Sequence, residues 1–101
     1  MALDVDTLKG EFPILAREVH GKRLVYLDSA ASAQKPRRVL DAMQRFQETS
    51  YANVHRGVYE IAAEATEAYE GARRAVARFI GAPSQRGVVF TKNVTEAINL
   101  V

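Results

Sequence analysis

One segment of the sequence places an imidazole, a guanidinium and an amide close together. Residues 51–59 (YANVHRGVY) have neither helical nor strand periodicity and contain Asn53, His55 and Arg56. A loop with these groups suits a carboxylate or phosphate ligand, because arginine forms paired hydrogen bonds to such anions. The same polar groups could instead tie the loop to neighbouring helices. Taken alone, the segment favours the structural interpretation over the catalytic one.

A second candidate site lies in residues 87–101 (GVVFTKNVTEAINLV), which read as a short apolar strand, a polar turn and the start of a helix. Such a turn can hold a phosphate, because backbone N–H groups without intrahelical partners and the positive end of the helix dipole meet there. Asn93 can cap the helix, Glu96 stands at the back-reaching position of a capping box, and Thr95 adds a hydroxyl. On spacing alone, a capped helix without a ligand is the favoured interpretation.

Residues 28–36 (DSAASAQKP) form a third, weaker candidate. Small residues after a strand let a ligand approach the backbone, but they also suit any tight connection from strand to helix. Lys35 and Lys92 are the lysines nearest these turns, and a lysine with a lowered pKa can form a Schiff base. Neither has a desolvating sequence context, so we expect both to be surface lysines.

The elements that position these groups follow from periodicity and from helix start and stop signals. Helices alternate with short apolar strands, which predicts an α/β fold whose parallel sheet needs further strands. The longest helix has an alanine-rich face and ends near Gly81 and Pro83. The predicted elements are a helix over residues 6–12 capped by Asp6 or Thr7, a strand over 24–27, a helix over 36–49, a helix over 61–79 and a strand over 88–90.

Composition excludes several classes of site and partner. The 101 residues are 48% hydrophobic with a net charge of +2, which is ordinary for a globular chain and weak support for nucleic-acid binding. Cysteine is absent, and His20 and His55 lack metal-ligand spacing, so no thiolate, disulfide or zinc site is expected. Neither a signal sequence nor a membrane-spanning run is evident. We expect a cytoplasmic protein without metal, nucleic acid or membrane partners.

Four strings gain meaning from their order: YLDSAASAQKP (residues 26–36), NVHRGVY (53–59), ATEAYEGAR (65–73) and VVFTKNVTEAINLV (88–101). Together they closely resemble the N-terminal part of SUF-type cysteine desulfurases. These are the group II desulfurases of the aminotransferase class-V family, which use pyridoxal 5′-phosphate (PLP). The resemblance covers nearly the whole chain, from about residue 8 to residue 101.

The resemblance implies the N-terminal portion of a fold-type I PLP-dependent transferase, a mostly helical segment plus the first strand of the large-domain sheet. Residues 1–35 would form an N-terminal segment with a helix, a short strand and a substrate-side loop. Residues 36–101 would begin the large PLP-binding domain, truncated here. Family members are homodimers.

The implied activity converts L-cysteine to L-alanine and passes sulfur, as an enzyme persulfide, to a SUF acceptor or scaffold for iron–sulfur cluster assembly. The Schiff-base lysine and the persulfide cysteine lie downstream in the family, so we expect no catalytic residue here and an inactive, poorly folded chain in isolation. A selenocysteine lyase or another group II relative is an alternative within the family. A truncated, non-catalytic interaction module is a further alternative.

The resemblance assigns cofactor binding to Val94 and Thr95, in the turn that holds the PLP phosphate. Family members often have Gly-Thr-Thr where this chain has Asn93, Val94 and Thr95. Val94 has no hydroxyl, so one phosphate hydrogen bond must come from backbone or be lost. A neutral hydrogen bond contributes about 0.5–1.5 kcal/mol, so we expect PLP retention to weaken modestly.

The resemblance also assigns the substrate side of the site. Ala30 and Ala31 match a small-residue loop that lines the substrate pocket. His55 and Arg56 match a loop that reaches toward the active site near the dimer interface, and His55 is also a substrate-binding candidate. No residue is assigned to a metal.

Overall fold

The computed structural model describes residues 2–101, which fall into two compact units. The first ends at Thr49 and the second begins at Ser50. The domain boundary expected between residues 35 and 36 stays a prediction. Among the residues described, no helix is long and apolar enough to cross a lipid bilayer.

Within residues 2–49, the first unit contains two α-helices, one 3-10 helix and one hairpin. Helix α1 spans Val5–Gly10, and a 3-10 helix follows at Pro13–Ala16. Strands β1 (Glu18–Val19) and β2 (Lys22–Arg23) pair antiparallel. Helix α2 spans Arg37–Thr49, which confirms the helix expected over residues 36–49.

Helix α1 begins earlier than expected, and its cap was predicted wrongly. The capping residue is Asp4, whose carboxylate accepts hydrogen bonds from the Thr7 backbone N–H at 3.1 Å and the Thr7 hydroxyl at 2.6 Å. A side-chain oxygen on the capping residue satisfies an N–H group that has no intrahelical acceptor. These bonds lower the pKa of Asp4, with the hydroxyl as the larger cause. Thr7 is therefore the donor in this cap.

The strand expected over residues 24–27 is also wrong. The observed sheet is the hairpin just before this segment. Its turn consists of His20 and Gly21, which both have positive φ (53° and 71°), as a two-residue type I′ hairpin turn requires. Leu24 continues the hairpin with one bond, from its N–H to the Arg17 carbonyl at 3.0 Å. Beyond Leu24 no strand of the described chain pairs with this segment, and Leu27 is 91% exposed.

The expected loop over residues 28–36 is confirmed as a set of turns. The Asp28 carbonyl accepts from the backbone N–H groups of Ala31 and Ser32, each at 3.1 Å. The Tyr26 hydroxyl donates to the Ser32 carbonyl at 2.6 Å. The bond between Tyr26 and Ser32 folds the segment back onto Tyr26, which lies two residues before its start.

The second unit is built on helix α3, Glu60–Phe79, which confirms the helix expected over residues 61–79. Its end is a Schellman motif, because Gly81 has a φ of 68° and donates to the Arg78 carbonyl while Ala82 donates to the Ala77 carbonyl. A 3-10 helix follows at Gln85–Gly87, and helix α4 spans Val94–Leu100.

The core of this unit is small. Three alanines of α3 and Val88 are its buried apolar residues: Ala62, Ala65, Ala77 and Val88. The segment over residues 88–90 was expected to be a strand. It is not, because the part of the chain described here supplies no neighbouring strand for it. Alanine at the buried positions of α3 lets other backbone approach this helix closely.

Candidate functional site

The backbone around His55 is fixed by helix α3. His55 has a left-handed φ of 65°, which is uncommon for a residue with a Cβ atom. Its N–H donates to the Thr66 hydroxyl oxygen at 3.0 Å, and that hydroxyl donates to the Ala62 carbonyl at 2.7 Å. The Thr66 hydroxyl therefore holds this unusual backbone conformation against the helix.

Gly57 sets how closely the loop approaches the same helix. A Cβ atom on Gly57 would lie 2.2 Å from the Ala62 Cβ and 2.9 Å from a ring carbon of Tyr59. Such distances are far inside van der Waals contact. Only glycine fits here without moving the loop away from the first turns of α3.

The His55 ring contacts a carboxylate and an aromatic ring on α3. Its Nε2 lies 2.9 Å from Glu70 Oε1, and Glu70 Oε2 accepts from Arg73 Nε at 3.1 Å. The ring also meets Tyr69 edge-on, with centroids 5.8 Å apart. Glu70 and Arg73 have side chains only 26% and 18% exposed, so their ion pair is less screened than a surface pair.

Arg73 extends these contacts to the segment before the polar turn. Its guanidinium donates to the Val88 carbonyl and lies 5.2 Å from the Tyr69 ring centroid and 5.1 Å from that of Phe90. The two rings are themselves edge-to-face at 5.3 Å. His55, Tyr69, Glu70, Arg73 and Phe90 thus form one group, called here the His55 cluster.

The polar turn contains the expected capping residues. Asn93 Oδ1 accepts from the Glu96 backbone N–H at 2.8 Å, which confirms Asn93 as the cap. Glu96 reaches back as expected, but its carboxylate accepts from the Lys92 N–H at 3.2 Å, one residue before the cap. The Thr91 hydroxyl donates to the Asn93 carbonyl at 3.1 Å. The turn is therefore shaped by its own side chains.

The start of α4 offers donors to an anion. Within residues 2–101, the backbone N–H groups of Val94 and Thr95 have no acceptor, and neither does the Thr95 hydroxyl. Both residues are exposed, and Thr95 lines an open cavity of about 430 Å³ together with Lys92 and Asn99. These donors fit the chemistry of a phosphate group. The assignment of Val94 and Thr95 to cofactor binding stays a prediction.

The other expected site residues lie at exposed positions. Arg56 is exposed, next to His55 in the turn. Lys35 and Lys92 are both exposed as expected. In the first unit, Ala30 and Ala31 lie in the exposed turn after Asp28. A nearby cavity of about 240 Å³ is lined by Phe12, Leu15, Tyr26, Ser29, Ala33 and Gln34, and by neither alanine. The substrate-binding role of the two alanines stays a prediction.

Sequence reasoning missed most of the His55 cluster. Glu70 and Arg73 belong to none of the three candidate sites that the sequence suggests and occur there only within the string ATEAYEGAR. Tyr69 and Arg73 continue the four-residue spacing that runs from Ala65 to Ala77, both of which are buried. An arginine on the buried stripe of a helix requires partners inside the fold, and that was the available signal.

Comparison with known proteins defines the class to which these units belong. The family described as aminotransferase class-V matches residues 25–101, so the chain belongs to the aminotransferase class-V family. A solved apo structure of a cysteine desulfurase from Thermococcus onnurineus NA1 is similar with a TM-score of 0.82 and 34% identity. The match covers 99% of this chain and 23% of that one. The α/β class and the fold-type I architecture are thereby confirmed for the portion of that fold which these residues cover.

Curated relatives give the same result at higher identity. A probable cysteine desulfurase from Streptomyces coelicolor is 58% identical over 100 residues, which are 98% of this chain and 24% of that protein. Another from Vibrio cholerae is 48% identical over 101 residues, 100% of this chain and 25% of that protein. The chain therefore spans about a quarter of the length of these relatives.

Proposed function

We propose that this chain is the N-terminal part of a SUF-type, PLP-dependent cysteine desulfurase. Such an enzyme converts L-cysteine to L-alanine and carries the sulfur as a persulfide to an iron–sulfur assembly scaffold. The observation that carries the proposal is the 58% identity to a probable cysteine desulfurase over 98% of this chain. The proposal implies a cytoplasmic homodimer.

The start of α4 supports a place for the cofactor. Two backbone N–H groups, at Val94 and Thr95, and the Thr95 hydroxyl are the proposed phosphate donors, assisted by the positive end of the helix dipole. PLP, when bound, supplies the electron sink for carbanion chemistry. The residues of this chain bind and orient its phosphate.

The loop at His55 supports a place for the substrate. His55 and Arg56 are exposed neighbours on a loop that α3 holds in position through Thr66 and Glu70. We assign to them the substrate side of the site, together with Ala30 and Ala31. The Schiff-base lysine and the persulfide cysteine are proposed to lie outside these 101 residues, which contain no cysteine.

The test compares two preparations, the full-length product of the reading frame that contains this sequence and the 101-residue chain alone. We expect the full-length protein to bind PLP and to release alanine from L-cysteine, with sulfide released when a thiol reductant is added. We expect the 101-residue chain to release neither. Alanine production by the short chain, or none by the full-length protein loaded with PLP, contradicts the proposal.

The two alternatives predict different outcomes. A selenocysteine lyase would show a much higher kcat/KM for L-selenocysteine than for L-cysteine in the same assay. An interaction module requires a stop codon directly after Val101, whereas an enzyme requires an open frame that continues to a lysine and a cysteine. Sequencing the DNA past Val101 separates these two cases.

A further inference from the structure

The Glu70 carboxylate has two hydrogen-bond partners from different parts of the second unit. Oε1 lies 2.9 Å from His55 Nε2 in the loop, and Oε2 lies 3.1 Å from Arg73 Nε one turn further along α3. Both bonds pair an acceptor with a nitrogen able to donate, so each oxygen has a defined partner. The carboxylate connects the loop to an arginine that is itself fixed on Val88 and two rings.

The bond to Glu70 defines which nitrogen of His55 is available. A carboxylate can only accept, so the proton of the neutral imidazole lies on Nε2. Nδ1 then carries a lone pair, and it has no hydrogen-bond partner within residues 2–101. The side chain is about half exposed, so a ligand has access to the ring.

We propose that Glu70 is a positioning residue, which fixes the His55 ring between itself and Tyr69 and leaves Nδ1 as the acceptor for a donor group of the substrate. The inference rests on the proposed function, in which His55 lies on the substrate side. An amino-acid substrate such as L-cysteine supplies an ammonium and a thiol as donors. Arg73 acts one step further away, by holding the Glu70 carboxylate in place.

The substitution Glu70→Gln tests the hydrogen bonds of Glu70 separately from the size of its side chain. Glu70→Gln keeps the length and volume of the side chain but has one accepting oxygen instead of two. It can therefore accept from His55 or from Arg73, but not from both. The matched control is Glu67→Gln, the same change one turn earlier on α3, at an exposed residue that pairs with Arg74.

The experiment uses the full-length holoenzyme and two independent readouts. The first is the steady-state kcat and KM for L-cysteine. The second is the rate at which diethyl pyrocarbonate modifies His55, followed by peptide mass spectrometry and compared with His20 in the same sample. His20 is exposed and lies in the first unit, so it serves as an internal reference.

We expect Glu70→Gln to lower kcat/KM by about 10-fold or more, since small displacements of a substrate-positioning group are costly. We expect His55 modification to rise several-fold relative to His20, because the single amide oxygen pairs with the charged Arg73 guanidinium, the stronger donor, and the His55 ring is released. Glu67→Gln should match the wild type in both readouts. Wild-type values for Glu70→Gln in both readouts, or equal losses in the two variants, overturn the inference.

The two readouts also separate this inference from the proposed function. If the wild-type protein has no desulfurase activity, the proposed function fails on its own, while His55 modification still tests whether Glu70 holds the ring. If activity is present and Glu70→Gln leaves His55 modification unchanged, only the positioning role fails. Glu70→Ala is a second variant that removes both bonds and should exceed the effect of glutamine on His55 modification.

Discussion

The hydroxyl oxygen of Thr66 lies 3.0 Å from the backbone nitrogen of His55 and 2.7 Å from the carbonyl oxygen of Ala62. The Thr66 hydroxyl accepts a hydrogen bond from the loop and donates one to the helix. A residue with a Cβ atom at positive φ carries strain of about 1–3 kcal/mol and keeps that conformation only where the surroundings fix it. The Thr66 hydroxyl thus stabilises the backbone conformation in which the His55 ring contacts Glu70.

Replacing Thr66 by valine removes both bonds while keeping the shape of the side chain. We expect Thr66→Val to destabilise the loop by about 0.5–1.5 kcal/mol, the net value of the one hydrogen bond that the loop loses. The measurement is hydrogen exchange of the His55 amide in the full-length protein, which should quicken by about 2- to 13-fold on the same basis. Thr66→Ser keeps the hydroxyl and should leave the exchange rate close to that of the wild type. Equal exchange in the valine variant and the wild type contradicts this role.

The sequence predicted those parts of the fold that depend on residues close together along the chain. Helix α3 follows from its apolar period and ends just before Gly81, close to the expected place, and Asn93 caps α4. Each of these features is set by contacts within four or five positions along the chain. Both strand predictions, over residues 24–27 and 88–90, failed because a strand is defined by a partner strand and not by its own composition.

The residues of the candidate site also fall into those that the sequence identified and those that it did not. His55 and Asn93 were identified from local composition. Glu70 and Arg73 were not, because their partners His55 and Val88 lie 15 residues away and on opposite sides of them in the sequence. Periodicity shows that a residue faces the core of its unit, but it does not identify what that residue meets there.

The close approach of Gly57 to Ala62 allows a steric test of the contact between the His55 loop and α3. A methyl group at this position would meet the Ala62 Cβ at 2.2 Å, so Gly57→Ala forces the loop away from α3. We expect a loss of about 1–3 kcal/mol, as for overpacking in a core, read as a lower melting temperature of the full-length protein. Gly87→Ala is the matched control, because a Cβ there meets nothing within 4 Å. A melting temperature for Gly57→Ala no lower than that of the control would refute the close packing.

Gly71 predicts a change of the opposite sign. It lies inside α3, and an added Cβ meets only the end of the Arg74 side chain at 3.6 Å. Alanine is favoured over glycine within a helix by about 0.5–1 kcal/mol. Gly71→Ala should therefore raise the denaturant midpoint of the full-length protein. A lowered midpoint would mean that this glycine serves a close contact outside the residues described.

The contacts of Arg73 predict that lysine cannot replace arginine at this half-buried position without a loss of stability. Two different nitrogens of Arg73 donate to the Glu70 carboxylate and the Val88 carbonyl, while the guanidinium carbon lies 5.2 Å and 5.1 Å from the ring centroids of Tyr69 and Phe90. A single ammonium cannot reproduce this geometry. We expect Arg73→Lys to cost about 1–3 kcal/mol of unfolding free energy, measured by denaturant titration. Arg74→Lys, on the more exposed neighbour that pairs with Glu67, should cost much less. Similar losses in the two variants would show that the fork geometry of Arg73 contributes nothing.

Val94 predicts a gain in cofactor affinity from a single hydroxyl. The residue is 71% exposed at the start of α4, beside the backbone N–H groups proposed to hold the PLP phosphate. Val94→Thr adds a hydroxyl donor without changing the branching at Cβ. One hydrogen bond of about 0.5–1.5 kcal/mol lowers the Kd for PLP by about 2- to 13-fold. The measurement is a PLP titration of the full-length apoprotein. Thr95→Val is the converse variant and should raise the Kd. If neither change alters PLP affinity while both variants remain folded, the phosphate does not lie at this turn.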